Sequence, residues 1–255
     1  MDIVPVENEE YQAYEDVLLR RDACQKEAQA AQVRYIREFG PLINESFQKE
    51  IDCIAKKKAI SYYQAAANRG EKVDLKDLTA YLHETMEEYN EKLKSMLSDY
   101  ETCKNAKVLP EEVAMQVKSL YKKIAKLIHP DMNPSLAGDE TITDLWGQVV
   151  DAYQRNDLTL LQELEVLVNE ALEKHGQEVE PVDIPDLKER TEKVEQEIQK
   201  IISTDPYLYK ELLNDSRAVA EKKEALRQEI DNYASYGEEL DEVLEGYMGE
   251  GMEVL

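Results

Sequence analysis

Turn-forming residues are scarce in this chain, which holds nine glycines and eight prolines among 255 residues. So few breakpoints argue against a strand-rich sandwich or barrel and favour long helices. Cysteine is scarce too. Cys24, Cys53 and Cys103 are odd in number, far apart and without a C-x-x-C pair, so they read as reduced thiols and not as a disulfide framework or zinc site. No apolar run approaches the roughly 18 to 20 residues that span a bilayer. The opening "MDIVPVENEE" has neither the basic region nor the apolar core of a signal peptide. The expected location is cytoplasmic.

Positive charge is also in deficit. The net charge is −24 with a pI near 4.5, a surface that repels phosphate backbones and anionic lipid. No nucleic-acid or membrane partner is expected. There is no Walker A sequence, glycine-rich nucleotide loop or nucleophile–base pair, so the expectation is a non-enzyme with no cofactor. His83 has Glu87 at i+4, but two ligands on an acidic helix fall short of a metal site, and His175 has less to recommend it.

What the chain does have is helical periodicity. A first helix is expected from about Glu7 to Phe39, closed by Gly40-Pro41. A second begins near Leu42, with Ile43, Phe47, Ile51 and Ile54 at helical spacing. After the break "NRGEKVD" (68–74), Asp74 caps a third helix with Leu75, Leu78, Leu82, Tyr89, Leu93, Met96 and Tyr100 on one stripe. Residues 1–105 therefore read as an N-terminal helical coiled-coil module. A linker, 177–184, precedes a C-terminal antiparallel helical hairpin over 185–250. Heptads of this strength also allow self-association between chains.

The middle differs. Residues 104–131 carry six lysines against Glu111, Glu112 and Asp131, a basic island on an acidic protein. "LPEEVAMQVKSLYKKIAKLI" is a helix with Pro110 at its first turn and Val113, Val117, Leu120, Ile124 and Leu127 as its apolar stripe. It ends in "HPDMNP", and a second helix, "TITDLWGQVVDAYQR", follows. Lys118, Lys122 and Lys126 are four apart, with Lys123 beside them, and form one cationic stripe. A plain solvated face is the ordinary fate of such lysines. Tyr121, Leu120, Ile124, Trp146 and Tyr153 are expected in the core.

This segment resembles the J domain of DnaJ-type co-chaperones. Tyr121 lies eight residues before His129-Pro130-Asp131, Val117 and Lys118 stand upstream, and Trp146, Val149, Ala152 and Tyr153 fall in register beyond the loop. The match spans roughly residues 110–155, within a J-like domain assigned to 106–176. The layout, with acidic helices on both sides, is similar to shortened bacterial J-domain proteins. The family's short first helix is not recognisable before Lys107, and the long preceding helix is the element left to pack in its place. The family's basic "QKR" segment is replaced by the acidic "NDLTLLQELEVL".

A helix terminator explains His129 and Pro130, but a carboxylate at a helix C-terminus is unfavourable without a partner. The resemblance implies that partner: an arginine on a DnaK-type chaperone, with His129 and Asp131 projecting together from a backbone fixed by Pro130. It also implies that Lys118, Lys122, Lys123 and Lys126 dock on an acidic patch of that chaperone and that the loop stimulates its ATPase. The flanking helices would position the module or bind a protein client. The competing expectation is a structural or scaffold coiled-coil protein whose J-like domain is degenerate and lacks co-chaperone activity. Accessibility of the loop separates the two.

Overall fold

The computed structural model describes residues 9–105, 110–136, 138–174 and 186–249. Among these the protein is all-α, with no strand. The helices are α1 (Glu9–Arg69), α2 (Leu75–Lys104), α3 (Glu111–Ile128), α4 (Glu140–Arg155), α5 (Leu158–Lys174), α6 (Leu187–Ile202), α7 (Tyr209–Asn214) and α8 (Ser216–Gly249).

The expected helix end at Gly40-Pro41 is not there, and α1 runs through both residues for 61 residues. Proline inside a helix removes one backbone bond and costs on the order of 3 kcal/mol. Pro41 is exposed, and so is Arg37, whose carbonyl it leaves without a helical donor. Gly40 is buried, and a Cβ there would lie 2.8 Å from Cδ2 of Tyr100 on α2. The glycine admits a tyrosine ring against the helix and is no C-cap. The next break falls as expected. Gly70 takes φ +69°, and the Asp74 carboxylate accepts the Lys76 N–H at 2.7 Å to cap α2.

The chain folds into two compact units that do not follow sequence order. One contains the start of α1 up to Gln29 together with α3, α4, α5 and α6. The other contains the rest of α1, from Ala30, with α2, α7 and α8. These units cut across the boundaries read from the sequence: residues 1–105 contribute to both, and the hairpin expected over 185–250 has α6 in the first unit and α8 in the second. The linker 177–184 lies outside the described residues. Periodicity identifies an apolar stripe but not the surface that covers it. The stripe of α6 (Leu187, Val194, Ile198) is buried in the same core as Tyr14, Val17 and Leu18 of α1.

That core also holds Val117, Ile124 and Ile128 of α3, Val149 and Ala152 of α4, and Leu161, Leu164 and Val168 of α5. The early part of α1 thus shares one core with α3, α4, α5 and α6. In the second unit α1 packs through Ala59, Tyr63 and Ala66 against Val73 and Leu78. Cys53 and Ile60 meet Leu240 of α8, and Lys56 bridges to Asp241 at 2.6 Å.

Two helical glycines give opposite expectations. A Cβ at Gly147 in α4 meets nothing within 4 Å, so Gly147→Ala should stabilise by about 0.5–1 kcal/mol through helix propensity alone. Gly40→Ala should give no such gain and should lower the melting temperature, because Tyr100 must move. Thermal melts of the two variants beside the parent check both signs.

Candidate functional site

The site is the turn after α3. His129 leaves helical geometry with φ −61° and ψ 125°, while its N–H still bonds the Ala125 carbonyl at 2.8 Å. Its own carbonyl accepts the N–H groups of Met132 (3.0 Å) and Asn133 (2.8 Å), which closes the turn. The Asn133 side chain donates back to the Lys126 carbonyl at 3.2 Å. A helix end normally leaves carbonyls without donors. This one is closed by its own loop.

His129 does not project beside Asp131 as expected. The residue is 2% exposed and its ring lies 4.7 Å from Trp146. Nδ1 accepts the Asp131 N–H at 3.1 Å, so the neutral ring carries its proton on Nε2. Nε2 stands 3.9 Å from Asp22 Oδ2 on α1. Burial pushes the His129 pKa below its ordinary value of 6.5. Asp22 and Asp131 oppose that shift and Arg21 adds to it. The reason for the inward turn is packing, since Trp146 and α1 supply a pocket for the ring. Of the three residues His129-Pro130-Asp131, Pro130, which is exposed, and Asp131, whose side chain keeps 45% of its exposure, reach the surface.

Asp22 is the residue that sequence reasoning missed. It is buried on α1 and accepts a 2.7 Å hydrogen bond from the Tyr121 hydroxyl and a 3.1 Å bond from Arg21 Nη2. Tyr121 stacks on Tyr153 with centroids 3.8 Å apart. Desolvation, with the Asp22 charge next, holds the Tyr121 hydroxyl protonated far above its ordinary range, and desolvation pushes Tyr153 up to about 12. Tyr11 adds a second tie from α1, its hydroxyl donating to the Met132 carbonyl at 3.1 Å. One signal could have exposed Asp22: it falls four residues after Leu18 and eight after Tyr14, a carboxylate on an otherwise apolar stripe.

The four lysines are not equivalent. Lys123 pairs with Glu165 of α5 at 2.7 Å, and Lys126 pairs with Glu15 of α1. All four are exposed, so the difference between them lies in these ion pairs and not in burial. Near Lys118 stands Lys26 of α1, which donates to the Tyr153 carbonyl at 2.7 Å and lies over the Tyr153 ring. Desolvation, then the Lys118 charge, lowers the Lys26 pKa to about 8. Tyr121, Ile124 and Tyr153 are core residues, as expected, and Leu120 and Trp146 are partly buried against that core. Among the described residues no three His, Cys, Asp or Glu side chains gather as a metal site, and no helix is long and apolar enough to cross a membrane.

Two measurements probe this network. Tyr121→Phe leaves the buried Asp22 carboxylate without its hydroxyl donor and should cost about 1.5–3 kcal/mol in urea unfolding, the range for a hydrogen bond to a charged group. Acid should also act through His129. Its folded pKa is depressed, so the unfolded chain binds the extra proton. Stability from this group is therefore intact above about pH 7 and declines as pH falls through the unfolded value of roughly 6.5. His129→Asn should flatten that part of the stability–pH curve, and an unchanged slope would rule the histidine out as its source. Compared with protein-family models, curated proteins and solved structures, the chain has no match.

Proposed function

We propose that the unit built from the start of α1 and α3–α6 is a J-type co-chaperone module that binds a DnaK-type chaperone and stimulates its ATPase. The observation that carries this reading is the division of labour within the turn. His129 is buried and bonds the Asp131 N–H, which fixes the loop from inside, while Pro130 and Asp131 are presented outward. A loop that merely ended a helix would need no buried imidazole to shape it. Asp131 is the group that meets a cation on the partner through charge-assisted hydrogen bonds. Lys118 and Lys122 are the cations that steer the encounter, with Lys123 and Lys126 contributing less because Glu165 and Glu15 already neutralise them. The module performs no bond chemistry of its own. Its effect is a bias on the chaperone's conformational equilibrium through differential contacts.

The scaffold reading has one specific observation in its favour. His129 is covered and two of the four exposed lysines are already ion-paired within the chain, the arrangement expected of a J-like fold kept only for packing.

Single-turnover ATP hydrolysis by a DnaK-type chaperone separates the two readings. The full chain should accelerate hydrolysis, with less effect as salt rises, and Asp131→Asn should abolish the acceleration without changing the far-UV circular dichroism. No acceleration by the parent protein would leave the scaffold reading standing. Equal acceleration by Asp131→Asn would remove the loop from the mechanism.

A further inference from the structure

The Arg21 guanidinium is surrounded by three carboxylates. Nη2 lies 3.1 Å from Asp22, and Nη1 lies 3.5 Å from Glu197 of α6 and 3.8 Å from Asp131. One cation facing three anions leaves negative charge in excess at the loop. The three acids are also arranged unequally. The Asp22 side chain keeps 11% of its exposure and belongs to the interior, whereas Asp131 and Glu197 keep 45% and 52%. The two outer carboxylates converge on the same nitrogen, Nη1, from the loop and from α6. A planar guanidinium suits such a fork because its donors reach two acceptors at once.

Building on the co-chaperone reading above, we infer that Asp131 and Glu197 form a guanidinium-binding fork that Arg21 occupies within the chain and that a cationic side chain of the partner takes over on docking. Glu197 is then a second partner-binding carboxylate, contributed by a helix outside the segment that resembles a J domain. Arg21 is a built-in competitor. The exchange costs little, because Arg21 keeps Asp22 while it gives up two half-exposed acids. Half-exposed ion pairs are weak, so the competition tunes affinity and does not lock the loop.

The test measures the protein concentration giving half-maximal stimulation of a DnaK-type chaperone's single-turnover ATPase, with the full chain throughout. Arg21→Gln should lower that concentration about two- to fivefold, the range a half-exposed ion pair allows. Adding Glu197→Gln to Arg21→Gln should raise it again by a similar factor, because with Arg21 gone only the partner uses Glu197. An Arg21→Gln protein with parental circular dichroism and melting temperature but equal or weaker stimulation overturns the inference and leaves the co-chaperone reading intact. Should Arg21→Gln fail to fold, Arg21→Lys keeps a positive charge beside Asp22 but lacks the fork. It should shift the concentration the same way by less, and no shift overturns the inference. Silence from the parent and every variant would instead overturn the co-chaperone reading, and the fork with it.

Discussion

A carboxylate buried in a helical core fixes the arrangement of the site. Removing Asp22 from water is costly unless the charge is met by hydrogen bonds. Its partners come from three places: Arg21 on the same helix, Tyr121 on α3 and, at longer range, His129 at the loop. The Tyr121 hydroxyl and the His129 ring cannot approach one carboxylate unless α1 lies against α3 in one register and at one depth. The apolar contacts of Tyr14, Val17 and Leu18 would tolerate a sliding helix far better. Apolar burial supplies the attraction, and the polar contact chooses the position.

The loop's shape follows from that choice. His129 is held between Trp146 and Asp22, and its Nδ1 orients the next exposed residues through the Asp131 N–H. A histidine at a helix end is usually credited with favourable interaction with the dipole when charged. Here burial disfavours the charged form, so its contribution is geometric: a neutral acceptor of defined tautomer. The same docking redistributes the basic stripe. Glu15 arrives with α1 and Glu165 with α5, each on a different lysine, and the outward cationic face contracts towards Lys118 and Lys122.

Much of this was legible locally. The break at 68–74, the Asp74 cap, the start of α3 after Pro110 and the core roles of Tyr121, Ile124 and Tyr153 all follow from spacing and turn chemistry. The misreadings share one cause. Gly40-Pro41 carries every local mark of a helix end, yet the deciding atom belongs to Tyr100, sixty residues away. The stripe of α6 is clear, but nothing in it says that α1 and not α8 will cover it. His129 looked like an exposed tip because its covering residues, Asp22 and Trp146, lie on other helices. Periodicity reports which face is apolar, and only the tertiary fold reports which surface meets it.

The sequence distance between partners has a consequence for how the loop acquires its shape. Helices α3, α4 and α5 are neighbours in the chain and pack on one another through short connections. The hydrogen bond from Tyr121 to Asp22 closes 99 residues, and that from Tyr11 to the Met132 carbonyl closes 121. Loop closure on that scale carries an entropy cost that local helix packing does not. The α3–α4 hairpin can therefore form from local contacts, but the inward histidine, the neutralised Lys126 and the ion pairs of Arg21 with Asp131 and Glu197 exist only once α1 has docked. Loop shape and hairpin are thus separable, and the geometry presented by Pro130 and Asp131 is conditional on a helix that begins more than a hundred residues upstream.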